Sequence, residues 1–322
     1  MRRVAIVLTA VLFLAGAAPH PSVEPTPTRT PRQGAVSSHV IVISIDGLRP
    51  DAIGHYHAAT LQRLEREGAM ATAQTIFPSK TLPSHTSMLT GVPPEVHGIT
   101  WNSEEVDEYG YVRVATVFEI AHDAGFTTAG FFSKAKFRHL QKPGTFDYTE
   151  APRGDNWMAT RTIADVQQYL RYARPNLLFV HIGEPDYAGH SVGWMSFVYG
   201  WAVRRADGAV ASVIRSADQA FGAGNYTLVV TADHGGHGRD HGSRDARDMT
   251  IPWIVWGRGV QEGAISGEVK TMDTAATVLW LLGTPAPASW TGHAVAGAFT
   301  HAAQLAADSA IAASGWKAAG SR

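Results

Sequence analysis

Five short apolar runs recur along the chain with helical patterns between them, and this alternation restricts the fold more than any other feature. The runs are Val40 to Ile45, Thr127 to Phe132, Leu177 to Ile182, Tyr226 to Thr231 and Ile251 to Trp256. Each is rich in β-branched residues and almost continuously apolar, as a strand covered on both faces must be. Helical periodicity occupies 58–67, 115–124, 158–172, 201–221 and 272–282. Strands alternating with helices predict an α/β fold with a mostly parallel central sheet and helices on both faces. No composition break interrupts the pattern, so a single domain over 38–300 is expected.

The two ends follow a different logic. Arg2 and Arg3 precede the apolar stretch Val4 to Ala15, and the small residues Gly16-Ala17-Ala18 follow. That order is the pattern of a secretory signal peptide, here 1–18. The apolar run is too short for a comfortable membrane span, so none is expected after cleavage. Residues 19–37 read as a disordered leader rich in Pro and Thr, and 301–322 as an Ala-rich tail or peripheral helix. The expected location is therefore periplasmic or extracellular. Export permits disulfides, yet the chain has no cysteine, so stability must come from the core and from any bound metal. A net charge of -1 offers no basic footprint for nucleic acid.

Chemistry concentrates just past the strand ends. The segment Thr231 to Gly242 carries three histidines and two aspartates spaced by glycine, with little that a core could use. Carboxylates and neutral imidazoles are what zinc and similar divalent ions bind, and the carboxyl end of a strand is where open α/β sheets hold ligands. Asp46 follows the first strand, with Gly47 allowing a sharp exit; alone, such an aspartate is more often a helix cap or turn residue. Asp186 and His190 stand four apart after the strand ending at Ile182, a spacing that converges if the segment is helical. In Phe77 to Thr86, Pro83 suits the first helical position and places Thr81 at the helix entrance. A hydroxyl there meets a positive dipole and free N–H groups, and metal coordination can turn it into a nucleophile.

Together these segments resemble the alkaline phosphatase superfamily, in its nucleotide pyrophosphatase/phosphodiesterase-like branch. The matching stretches are Ser44-Ile45-Asp46-Gly47, Phe77 to His85, Leu89-Thr90-Gly91, His97-Gly98-Ile99, Glu184 to His190, Ala232 to Gly235 and His241-Gly242, in the family's order. The resemblance implies two divalent metal ions, zinc as a rule. Asp46, Thr81, Asp233 and His234 match the metal that activates the nucleophile; Asp186, His190 and His241 match the other. Thr81 takes the nucleophile position, Asn102 resembles a phosphate-binding asparagine, and Lys80 beside Thr81 is a further candidate for phosphate. His237 also precedes a glycine and is the alternative to His241. The implied activity is hydrolysis of small phosphodiesters through a phosphothreonine, with phosphomonoesters or phosphonates as the alternative substrates.

Rival readings fit fewer residues. Gly189-His190-Ser191-Val192-Gly193 fits the nucleophile elbow of serine α/β-hydrolases, but Gly183 to Ala188 separate it from its strand. A sulfatase needs a Cys or Ser that becomes formylglycine, and Thr81 cannot be converted in that way. A non-catalytic metal-binding protein would be expected to lack some of the donors. His85 and His97 are expected to orient loops, His55 and His57 to lie on the surface, and Trp253 and Trp256 in the core. Tyr187, Trp101 and Phe137 are candidates for a leaving-group pocket.

Overall fold

A computed structural model describes residues 35–154 and 156–315. The expected signal peptide, most of the leader and residues 316–322 lie outside the described residues. Eight strands form one sheet: β1 Val40–Ile45, β2 Ala69–Gln74, β3 Thr128–Phe131, β4 Tyr148–Glu150, β5 Leu177–Ile182, β6 Thr227–Thr231, β7 Thr250–Gly257 and β8 Gly263–Ala264. Their order is β4-β3-β5-β1-β6-β7-β2-β8. All neighbours are parallel except β7, which runs antiparallel to both β6 and β2.

The sheet is covered on both faces. In β1, Val40, Ile41, Val42, Ile43 and Ile45 are at most 1% exposed, although successive side chains point to opposite sides. Burying such residues contributes about 1.5–3 kcal/mol each, which is why the continuous apolar runs settle at the centre. Among the described residues, no helix is long and apolar enough to cross a membrane. The Ala-rich stretch after Thr300 folds as the helix His301–Ala313, with Ala303, Ala307 and Ala310 buried on one side.

Register then sets the site. Ile45 of β1 pairs with Ile182 of β5, and Ser44 with Thr231 of β6. The three central strands therefore end level, and the residues after them emerge side by side. Phe131 of β3 pairs with Val180 of β5, which brings the segment after β3 to the same edge.

Local departures from the sequence reading have identifiable causes. Thr81, not Pro83, is the first residue of its helix, Thr81–Thr90; Lys80 caps it in extended conformation and Pro83 is third. The long helix starts at Phe197 rather than 201, because the Ser196 hydroxyl accepts a hydrogen bond from the Tyr199 N–H at 3.2 Å. β2, β4 and β8 were not anticipated: β2 is Ala-Met-Ala-Thr-Ala-Gln, and the others span three and two residues.

Candidate metal centre

Three strand exits deliver the donors. Asp46 follows β1; Asp186 and His190 lie on the helix Glu184–Val192 after β5; Asp233 and His234 follow β6. Close approach of the exits needs glycine at Gly47, whose φ is +71° and where an added Cβ would stand 3.1 Å from Asp186 Cα. Gly236 is a second such position, since a Cβ there would meet the Trp194 indole at 2.2 Å.

Two donor groups result, each with its atoms within 4.8 Å of one another: Asp186, His190 and His241, and Asp46, Asp186 and His234. In the first, the Nε2 atoms of His190 and His241 lie 3.3 and 3.6 Å from Asp186 Oδ1. In the second, His234 Nε2 is 3.4 Å from Asp46 Oδ1; Asp233, which is in neither group, has its Oδ2 3.2 Å from the same nitrogen. Asp186 thus belongs to both groups, a sharing that the partition suggested by sequence did not contain.

The donor atoms facing this space lack partners. Asp46 Oδ1, Asp186 Oδ1, Asp233 Oδ2 and His234 Nε2 are all buried and accept or donate no hydrogen bond within the protein, and Thr81 Oγ1 is a further buried atom without one. Buried polar atoms are normally satisfied, so converging orphans of this chemistry fit divalent cations. The imidazoles are also prepared as ligands, with each outer nitrogen held by a backbone carbonyl. His234 Nδ1 is 2.8 Å from Gly235 O, His241 Nδ1 is 2.8 Å from Ser79 O, and His190 Nδ1 is 3.1 Å from Arg239 O. Burial, then the proximity of His241, pushes the His234 ring down to about 3, so it stays neutral and able to bind metal. Burial and the charge of Asp46 push the Asp233 carboxyl well above the usual range, while its Oδ1 accepts from the Gly47 N–H at 3.1 Å.

Three residues that the sequence reading passed over complete the surroundings. Lys134, just past β3, is 3% exposed, and its Nζ lies 2.7 Å from Asp46 Oδ2 and 2.6 Å from Asp186 Oδ2. Burial disfavours charge on Asp46, yet Lys134 and the hydrogen bond from His181 hold its carboxyl well below the usual range. His181 projects from β5 with Nε2 3.0 Å from Asp46 Oδ2 and Nδ1 2.7 Å from the Ser133 hydroxyl. Lys136 reaches Asn102, with Nζ 3.1 Å from Oδ1. Position past a strand end was the available signal for the lysines.

The remaining candidates are spread around this centre. Asn102 Oδ1 also accepts the Leu82 N–H at 3.0 Å, next to Thr81. The Lys80 stem packs against Gly242 and has no ion pair among the described residues. His237 is drawn away, with Nδ1 2.6 Å from the buried Asp248 carboxylate. His85 is wholly buried, with Nε2 2.8 Å from the Ser44 hydroxyl and Nδ1 2.8 Å from Thr81 O. His97 holds the Ser87 hydroxyl at 3.0 Å. Phe137 is fully buried, edge-on against His85. Ser191 is exposed in the last turn of the helix Glu184–Val192, not at the turn from strand to helix that a nucleophile elbow needs.

The level strand ends and the paired Asp/His groups define an alkaline phosphatase-like α/β protein. The chain belongs to the type I phosphodiesterase / nucleotide pyrophosphatase family, whose pattern matches residues 40–242. It is 25% identical over 215 residues to human ectonucleotide pyrophosphatase/phosphodiesterase family member 1, covering 61% of this chain and 23% of that protein. It is 23% identical to GPI ethanolamine phosphate transferase 1 of Candida glabrata, covering 80% of this chain and 33% of that protein. The chain thus spans about a quarter to a third of the length of these relatives. In fold it is similar to murine ectonucleotide pyrophosphatase/phosphodiesterase 5 in complex with AMP, with TM-score 0.67, 16% identity and coverage of 78% of this chain and 96% of that one. A 2-O GAG sulfatase superposes with TM-score 0.69 at 15% identity, covering 81% and 73%.

Proposed function

We propose that this chain is a zinc-dependent hydrolase of small phosphodiesters that works through a phosphothreonine on Thr81. The observation that carries the proposal is Thr81 Oγ1, buried at a helix start without a hydrogen-bond partner, on a residue whose backbone oxygen shares the His85 Nδ1 atom with Asp233 Oδ2, at 2.8 and 3.4 Å. Asp46, Thr81, Asp233 and His234 would hold one cation, and Asp186, His190 and His241 the other. Bound cations supply a lowered hydroxyl pKa and neutralise charge on the attacking and leaving oxygens.

The protein's own groups perform the rest. The Thr81 oxygen attacks phosphorus, the new O–P bond forms, and the ester oxygen leaves as an alcohol after taking a proton. Water then cleaves the phosphothreonine and regenerates the hydroxyl. Leu82 N–H and Lys136 both donate to Asn102 Oδ1, which fixes the amide so that its NH2 is left for a non-bridging oxygen. The Thr81 N–H, at the positive end of its helix, is the second donor. The signal-like segment 1–18 supports export, with activity in the periplasm or outside the cell.

The test uses zinc-loaded protein and bis-p-nitrophenyl phosphate. Chelation should abolish turnover, and Thr81→Ala should lower kcat by at least about a thousandfold while zinc content stays unchanged. Undiminished turnover by Thr81→Ala would remove the phosphothreonine.

A further inference from the structure

Four large apolar side chains stand in solvent close together in the chain. Phe197 is 81% exposed, Trp201 and Val192 49% each, and Val198 45%. A lone exposed apolar residue is ordinary on a protein surface, but a contiguous group of them marks a docking face. Val192 ends the helix Glu184–Val192, and the other three occupy the first turns of the helix Phe197–Phe221. At the helical repeat Phe197, Trp201, Arg204 and Gly208 fall along one stripe, with Val198 and Arg205 beside it. Every residue of the stripe is exposed, whereas Ala202, Val203 and Ala206 on the opposite side are buried.

Cations frame this face. The Arg205 guanidinium lies 4.7 Å from the centre of the Trp201 ring. Arg204 is exposed and forms no ion pair among the described residues. Arg239 arrives from another segment: its Nε donates to His190 O at 3.1 Å, and a Cβ added at Gly193, next to Val192, would stand 3.8 Å from its Cγ. Carboxylates are fewer. Glu184, 3.8 Å from Arg205, is buried, Asp51 is held by Arg49, and Asp240 beside Arg239 is exposed. The face is therefore apolar at its centre and cationic at its edge.

That chemistry selects the partner. Phe and Trp rings settle at the headgroup level of a bilayer. Arginine pairs with phosphate through its planar fork while its stem lies along apolar surface. A second copy of the chain, docked through the same face, would set these arginines against each other. Among the described residues no helix crosses a membrane, so contact of this kind is peripheral.

We propose that this face docks on an anionic lipid surface, with Phe197 and Trp201 entering the headgroup layer and Arg204, Arg205 and Arg239 meeting lipid phosphates. The inference is independent of the Thr81 reading, and its test needs neither metal nor turnover.

The experiment is co-sedimentation of the full chain with vesicles of phosphatidylcholine alone and of equal parts phosphatidylcholine and phosphatidylglycerol. Wild type should bind the mixed vesicles more tightly than the neutral ones, and added salt should weaken that preference. Phe197→Ser should lower the partition coefficient on mixed vesicles at least about tenfold, the loss expected for one aromatic side chain. Arg204→Gln should lower it about fivefold on mixed vesicles and leave neutral ones unchanged. Both side chains are exposed, so thermal melting should stay at the wild-type temperature. Residues 1–18 are identical in all three proteins, so a difference among them belongs to this face. A wild type that does not sediment, or equal partition of wild type and Phe197→Ser, would overturn the inference. Light scattering without lipid supplies the remaining outcome: a wild-type dimer that Phe197→Ser converts to monomer would assign the face to a second copy and overturn lipid docking.

Discussion

The Lys134 ammonium lies 2.7 Å from the Asp46 carboxylate, and neither side chain is more than 4% exposed. The same ammonium contacts Asp186, so one buried cation ties a carboxylate after β1 to a carboxylate after β5. Each of these aspartates turns its second oxygen toward the donor space, where it has no partner. Lys134 therefore holds the outer oxygens and leaves the inner ones open to a cation. Burial works against its charge, but Asp186 and Asp46 keep it more firmly protonated than an ordinary lysine.

Removing one partner of such an arrangement leaves uncompensated buried charge. Lys134→Met should destabilise the chelated protein by about 3–5 kcal/mol, the usual cost of breaking a buried pair. Zinc should restore a larger share of stability to the variant than to wild type, because cations neutralise the same carboxylates. Urea unfolding with and without zinc measures both effects. A loss under about 1 kcal/mol would mean that the pair is solvated in solution.

The two histidines left open by the sequence have separable behaviour. His241 Nε2 stands 3.1 Å from His190 Nε2 and 3.6 Å from Asp186 Oδ1, whereas His237 is bonded to Asp248. His241→Ala should lower the zinc content by about one ion per chain, read by elemental analysis after dialysis. His237→Ala should keep its zinc and lose about 1–3 kcal/mol of stability, since Asp248 is buried and would lose a donor. The reverse pattern of zinc loss would exchange their roles.

Much of this arrangement was legible because strand ends can be read from short apolar runs. Asp46, Asp186, Asp233 and His234 each follow such a run, and a parallel sheet brings strand ends to one edge. Lys134 and Lys136 escaped notice because a lysine beyond a strand reads as solvent-facing; only the pairing of Phe131 with Val180 puts that segment beside β5. His181 was hidden inside an apolar run, where one polar residue looks like a gap in the pattern. β2 was missed for a physical reason as well. Its three alanines carry weak strand preference, and its place comes from antiparallel pairing along the full length of the strand with β7.

Two buried histidines beside the helix Thr81–Thr90 give the fold a defined acid sensitivity. His139 Nε2 lies 2.8 Å from the Thr86 hydroxyl, which itself donates to Leu82 O, and His97 holds Ser87 one residue further along. Burial pushes both rings down to about 4, with His139 adding to the effect on His97. An unfolded histidine titrates near 6.5, so between pH 6.5 and about 4 the unfolded chain binds protons that the folded chain refuses. Stability rises with pH wherever the unfolded state holds more protons. It should therefore be fully present above pH 6.5 and fall on acidification by up to ~1.4 kcal/mol per pH unit for each histidine. His139→Gln keeps a donor for the Thr86 hydroxyl and removes one titration. Urea unfolding at pH 7.5 and pH 5 should show the advantage of wild type over His139→Gln shrinking at the lower pH; a constant difference would mean that His139 is not held neutral by burial.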